Sequence, residues 1–377
     1  MSARFGHIFR WDLDKTYLKT EFETIRDLVR TARLSAEERE NIPGSAALIR
    51  AMRDLAPADA KHRVFFISGS PEQLRTVIEK KFALDGFVPD GFVLKPTVQN
   101  ILRGRFRAVR GQVGYKLLML LAGRGDAPIG SKETLFGDDA ESDAYIYSLY
   151  SDVIAGKVPA PELEKILKAT GCYSAQIKEI REALEAIVRE DPVQRIIIHL
   201  DQRTPPIAFS PFFPRVVPIY NHVQTAIVLC LDETLPIAAV RTVSRDLIAH
   251  YGFDEQRIAN LAEDILRRRR TYLGAATLDT FATALRELPE YPPREDEAEE
   301  ALDARVTELM EQVAARADYL GARPLTEDLT PLAPRSDYLE LWALEQERRE
   351  EAKRAKKLAA KISRDEERAA AAAKTES

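Results

Sequence analysis

Two carboxylates two residues apart, Asp12 and Asp14, stand at the end of an apolar, aromatic run from Gly6 to Trp11 that reads as a buried strand. Paired carboxylates at a strand tip repel each other, so they are held where they share a cation or a proton. In an extended backbone, residues two apart point the same way. One of them, Asp12, is placed to attack phosphorus and form an acyl phosphate. The other, Asp14, can protonate the departing alkoxide and later take a proton from water. Thr16 can hydrogen-bond locally and fix the turn that closes the pentad Asp12-Leu13-Asp14-Lys15-Thr16.

Three later stretches supply what such a reaction needs. Ser68 ends a second apolar run, and Gly69 lets the backbone approach a ligand closely. Ser70-Pro71-Glu72-Gln73 has the form of a helix start, with Ser as N-cap, Pro first and Gln third. Such a start aims free N–H groups at an anion, and the Ser68 hydroxyl adds to them; a ligand-free strand-to-helix turn has the same pattern. Lys116 precedes an apolar helix, where a cation opposes the dipole, so it is a candidate for neutralising phosphate. Lys95, after another strand, competes for that role and ranks second. Gly137-Asp138-Asp139-Ala140-Glu141-Ser142-Asp143 gathers acidic residues after a further strand. Mg²⁺ takes one or two carboxylates plus phosphate and water, so Asp12, Asp138 and the Asp14 backbone carbonyl can complete its octahedron. The plainer alternative there is a capped helix start, where Asp is common.

The elements that must position these groups alternate. Strands are expected at Gly6–Trp11, Arg63–Ile67, Gly91–Leu94 and Glu133–Phe136, and helices at Glu21–Arg33, Ser45–Leu55, Pro71–Phe82 and Gly114–Leu121. Continuously apolar strands point to a parallel sheet covered on both faces. The fold class is therefore α/β, a doubly wound parallel sheet, whose ligands bind beyond the carboxyl ends of its strands. Asp12, Ser68 and Asp138 all fall there. After a helical stretch, Pro161–Arg189, Arg195–Leu200 and Thr225–Leu231 are again strand-like, and Pro205–Pro218 between them is loop or edge structure. Asp201 and Asp232 each follow one of these runs. His199 and His222 flank the Pro-rich segment without metal-ligand spacing. Helices follow from Val243, with an extended charged linker at 289–297 and a further helix from about Glu299 to Tyr319. Arg267–Arg270 reads as a solvated helix end, its charge complementing the dipole.

Bulk properties set outer bounds. The chain has 377 residues, 45% hydrophobic and 31% charged, so a sizeable core is affordable. A net charge of -5 gives no reason to expect nucleic acid as a partner. Cys172 and Cys230, in apolar surroundings and without a CxxC pair, read as buried reduced thiols. No signal-type segment opens the chain and no apolar run is long enough to span a bilayer, so a cytoplasmic protein is expected. Three regions are expected: a catalytic domain over 1–250, a helical region over 251–334, and a charged helical or disordered tail over 335–377.

Asp12-x-Asp14-x-Thr16, Ser68, Lys116 and Gly137-Asp138-x4-Asp143 resemble the four motifs of the haloacid dehalogenase (HAD) phosphatase superfamily. Within it the chain is most similar to the catalytic domain of actin-patch-type phosphatidate phosphatases. Those carry Ser-x-Ser-Pro-x-x-Leu as second motif, here Ser68-Gly69-Ser70-Pro71-Glu72-Gln73-Leu74, and a helical stretch ending in a Pro-Gly pair, here Pro43-Gly44. The resemblance covers about residues 5–150. It implies a Rossmann-like sheet, Mg²⁺ and an aspartyl-phosphate intermediate. The stretch between Thr16 and Ser68 is too short for a full cap domain, so a sheet without a large cap is expected. The resemblance assigns Asp12 as nucleophile, Asp14 as acid and base, and Ser68, with Gly69, and Lys116 as phosphate-binding. Asp138 and Asp143 become metal ligands or orient metal-bound water, with Asp139 in a lesser place. The chain departs from the pattern at Glu72, where an aromatic is frequent, and at Lys95-Pro96-Thr97, where the pattern has a basic residue followed by Asp-Trp.

These observations lead to a Mg²⁺-dependent phosphomonoester hydrolase whose substrate is a small-molecule or lipid phosphoester. The alternative is a non-enzymatic protein of the same fold that binds protein partners through its C-terminal helices.

Overall fold

The computed structural model describes residues 6–20, 34–56, 61–95, 112–323, 337–351 and 354. Six strands form one sheet: β1 (Ile8–Asp12), β2 (Arg63–Pro71), β3 (Gly91–Lys95), β4 (Glu133–Asp138), β5 (Val193–His199) and β6 (Val216–Ile219). Their order is β3-β2-β1-β4-β5-β6, and every pairing is parallel. Strand order reverses between β1 and β4, so the crevice of this Rossmann-like α/β sheet opens at their carboxyl ends.

Alternate residues of the strands serve opposite layers. Phe9, Trp11, Val64, Phe66, Phe136, Ile197 and Val217 share one core with helices α1 (Ser45–Asp54), α2 (Arg75–Leu84), α7 (His222–Leu231) and α8 (Ala238–Tyr251). Trp11 stacks on Phe136 at 4.0 Å between ring centres, which ties β1 to β4 one and two residues before the aspartates that end them. On the other face lie α3 (Gln112–Gly125) and α4 (Asp143–Ile154), where buried Arg10 bonds Glu133 at 3.0 Å and the Gly123 carbonyl at 3.0 Å. Two further helices, α5 (Ala160–Ala169) and α6 (Ser174–Glu185), lead from α4 to β5. Helices α9 (Glu255–Arg269), α10 (Ala275–Arg286) and α11 (Glu297–Ala322) contribute Ile265, Phe281, Val313 and Ala317 to the same core as Trp11.

The strand expected at Thr225–Leu231 is helix instead. A short continuous apolar run serves a buried helix as well as a buried strand. Here Asn221 caps the helix by accepting from the Val223 N–H at 3.0 Å, and Ala226, Ile227, Val228 and Leu229 are fully buried. Asp232 consequently follows a helix rather than a strand. The last strand lies in the Pro-rich segment, at the sheet edge where Pro218 is tolerated. The Ser70 capping box also fails to form. Strand β2 runs on through Pro71, a 3₁₀ turn covers Glu72–Leu74, and the Ser70 hydroxyl turns to Asp14. The arginine run is not solvated throughout: the Arg268 and Arg269 side chains are only 21% and 5% exposed. The helix expected at Glu21–Arg33 lies outside the described residues.

Residues 1–334 form one compact unit and 335–377 another. Within the second, 338–351 is helical. Cys172 and Cys230 are free and half-buried. Among the described residues no helix is long and apolar enough to cross a membrane.

Candidate active site

Register brings the sequence candidates to one rim. Asp12 pairs with Ile67, so Ser68 stands one residue beyond it on β2. Trp11 pairs with Phe136, so Gly137 and Asp138 follow beside Asp12 on β4. Gly137 carries a steric requirement: a Cβ at that position would overlap the Asp143 carboxylate. With hydrogen there, the strand end lies against Asp143, whose Oδ2 accepts from the Asp138 N–H at 3.2 Å.

Carboxylate oxygens of Asp12, Asp138, Glu141 and Asp143 all lie within 4.8 Å of one another. The Lys116 ammonium, 1% exposed, sits among them at 3.1 Å from Asp12 Oδ1, 2.8 Å from Glu141 Oε2 and 2.6 Å from Asp143 Oδ1. Four carboxylates against one ammonium leave a surplus of three negative charges when all are ionised. Burial resists that much charge. It pushes Asp12 and Asp138 well above the usual carboxylate range, with neighbouring carboxylates adding and Lys116 opposing. Asp143 is pushed up to about 6, again by burial first. Burial also works against the Lys116 charge, but Asp12, Asp143 and Glu141 hold it protonated well above its ordinary range.

The donor set suits a hard cation. All four side chains offer oxygen only, and Asp12 Oδ2 and Asp138 Oδ2 are buried with no hydrogen-bond partner. Ion–oxygen bonds of about 2.0–2.6 Å bridge a set of this span. A dication would satisfy both orphaned oxygens and offset the surplus charge.

Asp14 is held differently. Its Oδ2 accepts from the Ser68 hydroxyl at 3.0 Å and the Ser70 hydroxyl at 2.8 Å. Its carboxyl is raised from the ordinary range because burial outweighs those hydrogen bonds. Ser68 spends its one proton on Asp14, while its oxygen accepts from the Ser70 N–H at 2.9 Å. Gly69 is exposed, and the space beside its Cα is open. Lys95 lies on the same side of the site, its ammonium 5.3 Å from the Tyr115 ring, and the Tyr115 hydroxyl donates to the Ser68 carbonyl at 3.2 Å. Burial lowers Lys95 to about 8, while Lys116 makes ion pairs to Asp12, Glu141 and Asp143.

Asp139 faces away from the cluster. Its carboxylate accepts from the backbone N–H of Gln202 at 2.8 Å and of Thr204 at 2.9 Å, anchoring the loop after β5. Asp201 lies 3.8 Å from Lys15, and Asp232 pairs with Arg195 at 2.6 Å.

Sequence reasoning passed over three groups. Glu141 belongs to the acidic stretch and lies three residues after Asp138, a spacing that one helical turn brings together. Histidines 199 and 222 hold the first-motif turn from behind. Lys15 has a left-handed backbone, φ 60°, uncommon for a residue with a Cβ. His199 Nδ1–H donates to the Lys15 carbonyl at 2.8 Å, and His222 Nε2–H donates to the Thr16 carbonyl at 3.0 Å. Burial lowers both rings, His222 to about 3, so both are neutral near pH 7.

Residues 11–160 match the family described as phosphatidate phosphatase APP1, catalytic domain. That match bears out the resemblance carried by the four motifs, and membership of the HAD-like superfamily is consistent with it. No curated protein and no solved structure matches the chain.

Proposed function

We propose that the matched segment is a working phosphatase. It hydrolyses phosphomonoesters through an aspartyl-phosphate on Asp12, uses Mg²⁺, and acts in the cytoplasm on a phosphatidate-like or other bulky phosphoester. The observation that carries this reading is the meeting of Asp12, Asp138, Glu141 and Asp143 around two orphaned oxygens at the carboxyl ends of β1 and β4.

The ion would be held by Asp12, Asp138 and Asp143 with the Asp14 backbone carbonyl, and Glu141 joins the candidate ligands by position. When bound, it supplies positive charge to the attacking carboxylate and to the phosphate oxygens.

The chain's own groups divide the remaining work. Lys116, paired with Asp12 at 3.1 Å, favours the charged carboxylate that attacks phosphorus. As the Asp12–phosphorus bond forms, the ester bond breaks and the alkoxide takes the Asp14 proton. Burial raises Asp14 and so favours its holding that proton. Ser68 and Ser70 hold the Asp14 carboxyl in place through one of its oxygens. Water then attacks phosphorus, Asp14 receives its proton, and Asp12 is released as carboxylate. Lys116 and the open backbone at Gly69 receive the phosphate oxygens, and Ser68 joins them once its hydroxyl turns from Asp14.

The test is phosphate release from an aryl phosphate ester and from phosphatidate in vesicles, with Mg²⁺ or a chelator. Turnover that needs Mg²⁺ and vanishes in Asp12→Asn supports the proposal. A folded chain without turnover on either substrate sinks it and favours a non-enzymatic binding protein.

A further inference from the structure

A second feature lies along the sheet edge, away from the acidic cluster. A cavity of about 660 Å³ is walled by edge strand β6, by the Pro205–Ile207 and Phe213–Pro214 segments, and by the end of α9. Its floor is apolar. Two exposed large apolar side chains stand at its opening: Ile207 is 67% exposed and Tyr220 41%. Apolar side chains gathered at one opening, with Arg268 5.8 Å from the Tyr220 ring, are a feature of interaction sites.

The opposite wall is basic. Arg267, Arg268 and Arg269 all line the cavity. Arg267 and Arg268 share one carboxylate, Asp264, at 3.8 and 2.8 Å. Arg269 and Arg195 share another, Asp232, at 3.7 and 2.6 Å. Four guanidinium groups against two carboxylates leave two positive charges over. The Arg269 Nε is buried without a hydrogen-bond partner, and the Arg267 side chain is 65% exposed. Burial, with Arg195 beside it, lowers Arg269 to about 10, another sign that positive charge is crowded here.

We propose that this cavity and its rim dock the protein on a membrane surface bearing anionic lipid, with a headgroup phosphate against the arginines and Ile207 and Tyr220 at the acyl boundary. Apolar anchors beside uncompensated arginines suit that surface, since each basic residue gains from the negative potential of anionic lipid while apolar side chains leave water. A soluble anion would use the arginines alone and leave the apolar rim exposed. The wall containing Ile207 continues directly from Gln202 and Thr204, which Asp139 holds beside the candidate active site. Docking would therefore bring the catalytic rim near lipid phosphoesters. The docking itself does not depend on the chemistry assigned to Asp12.

Flotation of the full chain with two vesicle types tests this. One is phosphatidylcholine alone, the other equal parts phosphatidylcholine and phosphatidylserine. The expected result is binding to the mixed vesicles, weakened by salt, and little binding to the neutral ones. Arg267→Glu and Ile207→Ser change exposed side chains, so the fold is expected to persist, as a circular-dichroism melt can verify. Each variant is expected to lower partition by about an order of magnitude. Neither should alter turnover of a soluble aryl phosphate. Equal binding to both vesicle types, no binding to either, or full binding by both variants overturns the proposal. If the wild-type chain binds mixed vesicles but turns over no ester, the catalytic reading fails and the docking stands.

Discussion

Asp12 has conflicting demands: buried, it favours its proton, and as the proposed nucleophile it would be charged. In the proposed mechanism Lys116 and a cation resolve the conflict in favour of charge, so one substitution has two opposite effects. Asp12→Asn is expected to cut turnover by about three orders of magnitude or more, measured as phosphate release. The same change removes a negative charge from a crowded cluster, so the metal-free variant should melt above wild type. Histidines 199 and 222 make a subtler prediction. They hold the carbonyls of Lys15 and Thr16 where the chain takes a left-handed turn between Asp14 and the rest of the fold. His199→Ala and His222→Ala are expected to lower kcat about ten- to a hundredfold with less change in KM, because misplacement of a reacting group is felt in the chemical step. Asn at 199 places an amide donor near the Nδ1 position and Gln at 222 one near Nε2, so these variants should recover much of the loss. Equal losses in all four variants would reduce the pair to packing. The carboxylates were legible in the sequence because acidic residues at strand ends have few other uses. The histidines were not, since their partners are backbone carbonyls some two hundred residues away along the chain.

At the scale of elements, the site depends on how β1 and β4 end. Trp11 and Phe136 stack one and two positions before their strands finish, and Gly137 admits Asp143 against the β4 backbone. Gly137→Ala forces Asp143 aside and is expected to cost about 1–3 kcal/mol of stability, read from urea unfolding, with most of the activity lost. Central strands were readable because both faces are covered and their apolar runs are short and bounded by turns. The same logic misread Thr225–Leu231, whose uniform apolarity comes from burial of a whole helix, with Asn221 as the only local sign of its start. Ser70 misled in a related way. Its Ser-Pro pattern fits a cap, yet its hydroxyl goes to Asp14, because a buried carboxyl gains more from a donor than an exposed helix start does.

For the whole molecule, the acidic cluster links metal, pH and stability. Asp12, Asp138 and Asp143 titrate above the ordinary carboxylate range, Asp143 at about 6. Above about pH 4 the unfolded chain has lost these protons while the folded chain still holds them, so their contribution to stability falls as pH rises through this window. Metal-free protein is thus expected to lose stability from these groups between about pH 5 and about pH 7. Added Mg²⁺ should restore it near neutrality and do less at the acid end, reaching about 3 kcal/mol at a hundredfold excess over Kd. Thermal melts at both pH values, with and without Mg²⁺, check this, and Asp138→Asn should blunt the Mg²⁺ effect. The most direct test of the catalytic account is to catch the phosphate on the enzyme. Protein quenched in acid during turnover, reduced with borohydride and digested should show position 12 converted to homoserine, the product of a reduced acyl phosphate. Turnover of substrate with position 12 left as aspartate, or with the modification at another carboxylate, would contradict it.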